Sequence, residues 1–230
     1  MFLKKSERSG RMIDAYKRSV ARHKAMNRPA RLGFVIDATG SRSSTWEQAQ
    51  AIQRRMFAAT ARVKAIKVRL VHFGGRILTS HGWMDDADKL AAEMSGVHCE
   101  TGLTQIIPAL HSFVDEPKDM RADAIILIGD SYEEFHLDAA RVATALGQAG
   151  IRIYAFLEGE DAFAEEMFRK LADGTGGRFA RFGEDLPLAD LCTGVAMLTA
   201  GGARALKRLP NKSARQLLLG PPSNGKGSER

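Results

Sequence analysis

The chain has 230 residues, 44% of them apolar and 27% charged, with a formal net charge of +7. That length supports one core-bearing α/β domain with additions, and the composition is neither disordered nor fibrous. No apolar run approaches the roughly 18–20 residues a membrane span requires, and "MFLKKSERSGRM" has no apolar signal core, so a cytoplasmic protein without a transmembrane segment is expected.

The charge is unevenly placed. Residues 1–31 carry ten Lys/Arg against two acids, and residues 201–230 carry seven against one, so the two ends hold +14 and the middle −7 of the total +7. Basic arms on an acidic middle are either solvated tails or contacts for an acidic partner, a membrane surface or nucleic acid. Cys99 and Cys192 lack any CxxC spacing and read as thiols filling the core.

In chain order, residues 8–27 have helical spacing, with Met12, Tyr16 and Val20 on one stripe, and residues 1–30 read as a basic helical extension. "RLGFVID" reads as a buried strand, and Ser44-x-x-Glu47 as a capping box opening a helix with Ala49, Ile52, Met56 and Ala59 inward. "IKVRLVHFG" and "RILTSHGW" flank Gly74-Gly75, a hairpin signal that puts one antiparallel strand in the sheet. Helical spacing returns at "DADKLAAEM" and from Thr104 through "QIIPALHSFV", with Pro108 near a first turn. Then "ADAIILIGD" predicts a strand, "HLDAARVATALGQAG" a helix, "IRIYAFLEG" a strand and "DAFAEEMFRKLADGTGG" a helix. "RFARF" predicts a short strand, and a last helix starts near Leu186. This alternation predicts a doubly wound, mostly parallel Rossmann-like sheet with one antiparallel edge strand and helices on both faces, over residues 31–208. The Gly/Pro/Ser-rich, basic residues 209–230 read as a flexible tail.

Ligand sites in such sheets lie beyond the carboxyl ends of the strands. Polar residues there are Asp37, Thr39 and Ser41 after the first strand, Thr104 before a helix, and Asp130 ending "IILIGD". Carboxylates and hydroxyls form a hard-oxygen set suited to Mg²⁺, Mn²⁺ or Ca²⁺ rather than zinc. Taken singly, each is also an ordinary cap or turn residue.

"DATGS" followed by a helix, "TGLTQIIPAL" and "ILIGD", in that order, resemble the three pieces of a metal-ion-dependent adhesion site (MIDAS) in the von Willebrand factor A (VWA) family, across roughly residues 30–200. "IGDSYEE" and "FLEGED" are similar to stand-alone bacterial members. The resemblance implies Mg²⁺ ligated by Thr39, where many members have Ser, with Ser41 and Thr104, and with Asp37 and Asp130 acting through water. It also implies a vacant position filled by an exposed Asp or Glu of a protein partner, and no catalysis. The third piece departs from the usual Thr-Asp-Gly, reading Gly129-Asp130-Ser131. "DATGS" and Gly129-Asp130-Ser131-Tyr132-Glu133-Glu134 also resemble the nucleophile and acidic motifs of the haloacid-dehalogenase phosphohydrolases, a rival resemblance that implies Asp37 as nucleophile and a lysine such as Lys118 stabilising charge. Glu133 and Glu134 follow Asp130 and are open to two readings, charge tuning beside the ion or a solvated loop.

"GPPSNGKGS" near the end lacks the Ser/Thr of a phosphate loop, and His23, His72, His81, His98, His111 and His136 show no zinc spacing.

Overall fold

Six strands form one mixed sheet in the computed structural model, which describes residues 28–40, 52 and 65–220. The strands are β1 (Ala30–Asp37), β2 (Ile66–Gly74), β3 (Ile77–Ser80), β4 (Ala124–Gly129), β5 (Arg152–Leu157) and β6 (Arg178–Arg181). Their order is β3-β2-β1-β4-β5-β6, parallel throughout except for β3, which pairs antiparallel to β2 at one edge. The expected doubly wound architecture is the observed one.

The helices whose full span is described are α1 (Ala87–Ser95), α2 (Ile106–Val114), α3 (His136–Gln148), α4 (Ala162–Gly174), α5 (Leu188–Leu206) and α6 (Lys212–Leu219). Period-two alternation along β1 divides the core between two faces. Leu32, Phe34 and Ile36 pack with α1 and α5, while Val35 packs with α2, α3 and α4. A Cβ on Gly33 would lie 2.7 Å from Phe113 Cε1, so α2 rests directly on β1. β4, "AIILIG", is buried along its whole length, as a central parallel strand covered on both faces should be. Ile52 lies in a helix and is buried in the α1/α5 face, matching its inward assignment.

One boundary differs from expectation. Residues 209–220 are not a tail: α6 is capped by Asn211, whose side chain accepts from Ala214 N–H, and Leu209, Ala214 and Leu218 are buried against α5. At Gly194 a Cβ would lie 2.5 Å from Leu218 Cδ1, which fixes how closely α6 approaches. Further, α5 is interrupted at Gly202, where φ is +65°. The N-terminal extension to residue 27, Ser41, the Ser44–Glu47 capping box and residues 221–230 lie outside the described residues.

Candidate metal site

The strand order turns at β1. The chain moves from β1 to β2 on one side, and β4 then pairs on the other, opening the crevice that in this class of sheet receives ligands. Asp37 ends β1 at this crevice and is fully buried, and its Oδ1 accepts the Thr39 N–H at 2.8 Å. Thr39 is 6% exposed and bridges in parallel to Glu100. Ala38 N–H donates to Phe73 O, and Glu100 N–H to Ala38 O, so the end of β1 is held between the β2 end and the 99–101 segment. Asp37 is on the face covered by α2–α4, since it follows Gly33 and Val35 in the alternation.

β4 runs beside β1 with Ile36 opposite Ile128, which brings Gly129 next to Asp37. A Cβ at Gly129 would stand 3.0 Å from Phe168 Cζ but only in ordinary contact with Asp37, 3.7 Å from its Oδ2, so this glycine lets α4 pack close to the end of β4. Asp130 comes next and is half-buried. The following loop is anchored by Tyr132, which is buried, stacks edge-on to Phe163 and donates its hydroxyl to Phe135 O. Burial, with the Glu134 and Asp138 carboxylates nearby, pushes the Tyr132 phenol well above its ordinary range.

Thr104 is 3% exposed and three hydrogen bonds converge on it. Its hydroxyl donates to Glu134 Oε2 (2.6 Å) and accepts from Glu133 N–H (2.9 Å), and its own N–H donates to Glu133 Oε2 (2.9 Å). Glu134 Oε1 also accepts the Ile107 N–H at 2.9 Å, inside the first turn of α2. The N-cap of that helix is Gln105, not Thr104, and Gln105 makes no side-chain cap bond. Glu134 therefore caps α2 from a distant loop, satisfying one of the amides a helix start leaves open. Of the two readings for the glutamates, the solvated loop does not describe Glu134.

Asp37 and Thr39 are thus directly bonded, Asp130 follows the residue beside Asp37, and Thr104 is tied to the Asp130 loop through both glutamates. An open cleft of about 750 Å³ runs past Thr104, lined also by Gly75, Arg76, Thr101, Leu103 and Glu133. Its wall is backbone on backbone: a Cβ at Gly102 would meet Gly75 O at 1.9 Å. The donors fit a hard divalent cation. They are carboxylate and hydroxyl oxygens on the buried Asp37, Thr39 and Thr104 and the half-buried Asp130, and among the described residues no group of three His, Cys, Asp or Glu offers a competing site. Lys118, the lysine offered for the phosphohydrolase resemblance, precedes Asp119, whose carbonyl accepts from Arg31 near the start of β1. Six residues of strand, about 20 Å, separate that end from Asp37.

No family model matches the sequence, and no curated protein matches it in sequence. Solved structures do match in fold. A von Willebrand factor type A protein from Catenulispora acidiphila superposes with a TM-score of 0.61 at 18% identity, over 75% of this chain and 43% of that one. The fold is that of a von Willebrand factor A domain. Two further VWA-like matches were solved with metal. Proximal thread matrix protein 1 from the mussel byssus, with a zinc-occupied MIDAS motif, gives 0.59 at 19% identity over 74% and 46% of the two chains. Manganese-loaded TRAP protein from Plasmodium vivax gives 0.52 at 17% over 68% and 69%. This VWA-like chain therefore spans less than half of the first two.

Proposed function

We propose that this protein is a metal-dependent protein-interaction module. Asp37, Thr39, Ser41, Thr104 and Asp130 hold one divalent cation, Mg²⁺ in the cell, and an exposed Asp or Glu of a partner protein completes its coordination. The observation that supports this reading best is the meeting of three loops at the β1/β4 crevice: Asp37 with Thr39, Gly129–Asp130, and the Thr104 loop stitched to them by Glu133 and Glu134. Two VWA-fold structures carrying zinc and manganese lend the class of ion. A cation held largely by neutral hydroxyls keeps most of its charge and favours one more anionic ligand. Arg76, exposed on the cleft wall, adds a second positive group for an acidic partner. No catalytic step is assigned.

The test is Mn²⁺ binding followed by electron paramagnetic resonance, on the wild type and on Thr104→Ala shown to be folded by circular dichroism. Binding that Mg²⁺ displaces and that Thr104→Ala weakens by about tenfold or more supports the reading. Absence of wild-type binding, or binding indifferent to Thr104→Ala, overturns it.

A further inference from the structure

We infer that Glu134 is the positioning residue that makes Thr104 a cation ligand, by accepting the hydrogen bond of the Thr104 hydroxyl and so leaving only an oxygen lone pair to face the ion. The inference rests on the proposed cation site. A threonine hydroxyl has one proton and two lone pairs. Here the hydroxyl donates its hydrogen bond to Glu134 Oε2 at 2.6 Å, the length of a charge-assisted bond, and one lone pair accepts the Glu133 N–H at 2.9 Å. One lone pair remains. At 3% exposure Thr104 has little water to compete for that geometry.

Glu134 cannot be replaced by its amide without consequence, because both its oxygens already accept, from Thr104 and from Ile107 N–H. A glutamine has one acceptor oxygen and one donor NH₂. If its NH₂ faces Thr104, the hydroxyl must accept there as well as from Glu133 N–H, and its proton turns toward the remaining direction, where a cation would sit. If its NH₂ faces Ile107, two donors meet and the α2 cap is lost. Glu133 is different. Its side chain accepts the Thr104 N–H, which a glutamine oxygen can also do, and its contact with the hydroxyl is made by backbone N–H. Glu133→Gln and Glu134→Gln thus remove the same charge from the same loop, and only the second disturbs the hydroxyl.

The experiment is Mn²⁺ titration by electron paramagnetic resonance of the full chain, as wild type, E133Q, E134Q, E134D, Thr104→Ala and the E134Q/Thr104→Ala double variant. E134Q is expected to weaken Mn²⁺ by about 10- to 100-fold, as loss of a supporting hydrogen bond does at metal sites, while E133Q costs only the few-fold effect of one charge. E134D, which keeps two acceptor oxygens, recovers part of the loss, and the double variant binds like Thr104→Ala alone. Equal weakening by E133Q and E134Q, equal weakening by E134D and E134Q, or a further loss in the double variant overturns the inference, the last by making Glu134 a ligand itself. Failure of the wild type to bind Mn²⁺ overturns the site as well, and that outcome is separate from the others.

Discussion

Gly102→Ala places a methyl group where there is no room for one. Its Cβ would lie 1.9 Å from Gly75 O and 2.4 Å from Gly75 C, whereas ordinary contact begins near 3.4 Å, so the loops must part by about 1.5 Å (3.4 less 1.9). Both partners are backbone, and Gly75 is itself held at a φ of +61° in the β2–β3 turn. Parting the loops also strains the bonds beside the contact, Gly75 N–H to Glu100 O and Glu100 N–H to Ala38 O. Overpacking of this kind costs about 1–3 kcal/mol, or about 2–12 °C in Tm for a chain of this size. Because Thr104 is two residues away, Mn²⁺ affinity is expected to fall by at least about tenfold. Gly177→Ala serves as the control. Its Cβ would lie 1.8 Å from Ile153 O, an equal clash at the opposite end of the sheet, so it should lower Tm comparably and leave Mn²⁺ affinity unchanged. Thermal unfolding and Mn²⁺ titration of both variants decide the matter. A destabilised Gly102→Ala that binds Mn²⁺ like the wild type would refute the claim that this contact sets the position of Thr104.

Thr175→Val removes a buried hydroxyl that accepts Ile153 N–H at 2.8 Å, orphaning that amide, and should cost about 1–3 kcal/mol in urea unfolding; a value near zero would mean that the β5 start relaxes. Glu116→Leu leaves the Arg69 guanidinium, with a side chain only 12% exposed, without its carboxylate and Trp83 Nε1–H without its acceptor. That should cost about 3–5 kcal/mol, and Arg69→Met in the same chain should restore much of it. Burial first, and His81 second, lower the His72 pKa from 6.5 to about 4. The folded chain then resists the proton that the unfolded chain accepts, so this contribution is fully present above pH 6.5, is lost as pH falls toward about 4, and is level below that. His72→Gln should flatten the fall in urea stability between pH 7 and pH 4.5, and an unchanged slope would count against the assignment.

The strands were legible because each is a run of β-branched or aromatic residues with a clear end: "RLGFVID" stops at a buried aspartate, and "AIILIG" is apolar on both faces. The glycine hairpin and the Asp161-capped α4 carried local signals of the same kind. α6 was not legible. Leu209, Ala214 and Leu218 sit among basic and polar residues, and only their contact with α5 reveals them as core. Asp37, Thr39 and Asp130 stand out as candidates because strand ends announce them, and Thr104 because it precedes an apolar helical run. The work of Glu133 and Glu134 leaves no such trace, since a side chain capping a helix 27 residues earlier in sequence has no periodicity to read.

The two ends of the described chain have a mechanical meaning. Arg28 is held by Asp123 just before β4, and Gly220 O accepts from Arg178 at the start of β6, so the chain enters and leaves by the strand starts, at the pole opposite the Asp37–Asp130 crevice. A force applied between that crevice and Arg28 would load β1, and through Asp123 β4, along their length. Their parallel ladders, with five residue pairs in register between them, would then be sheared together rather than peeled open one bond at a time.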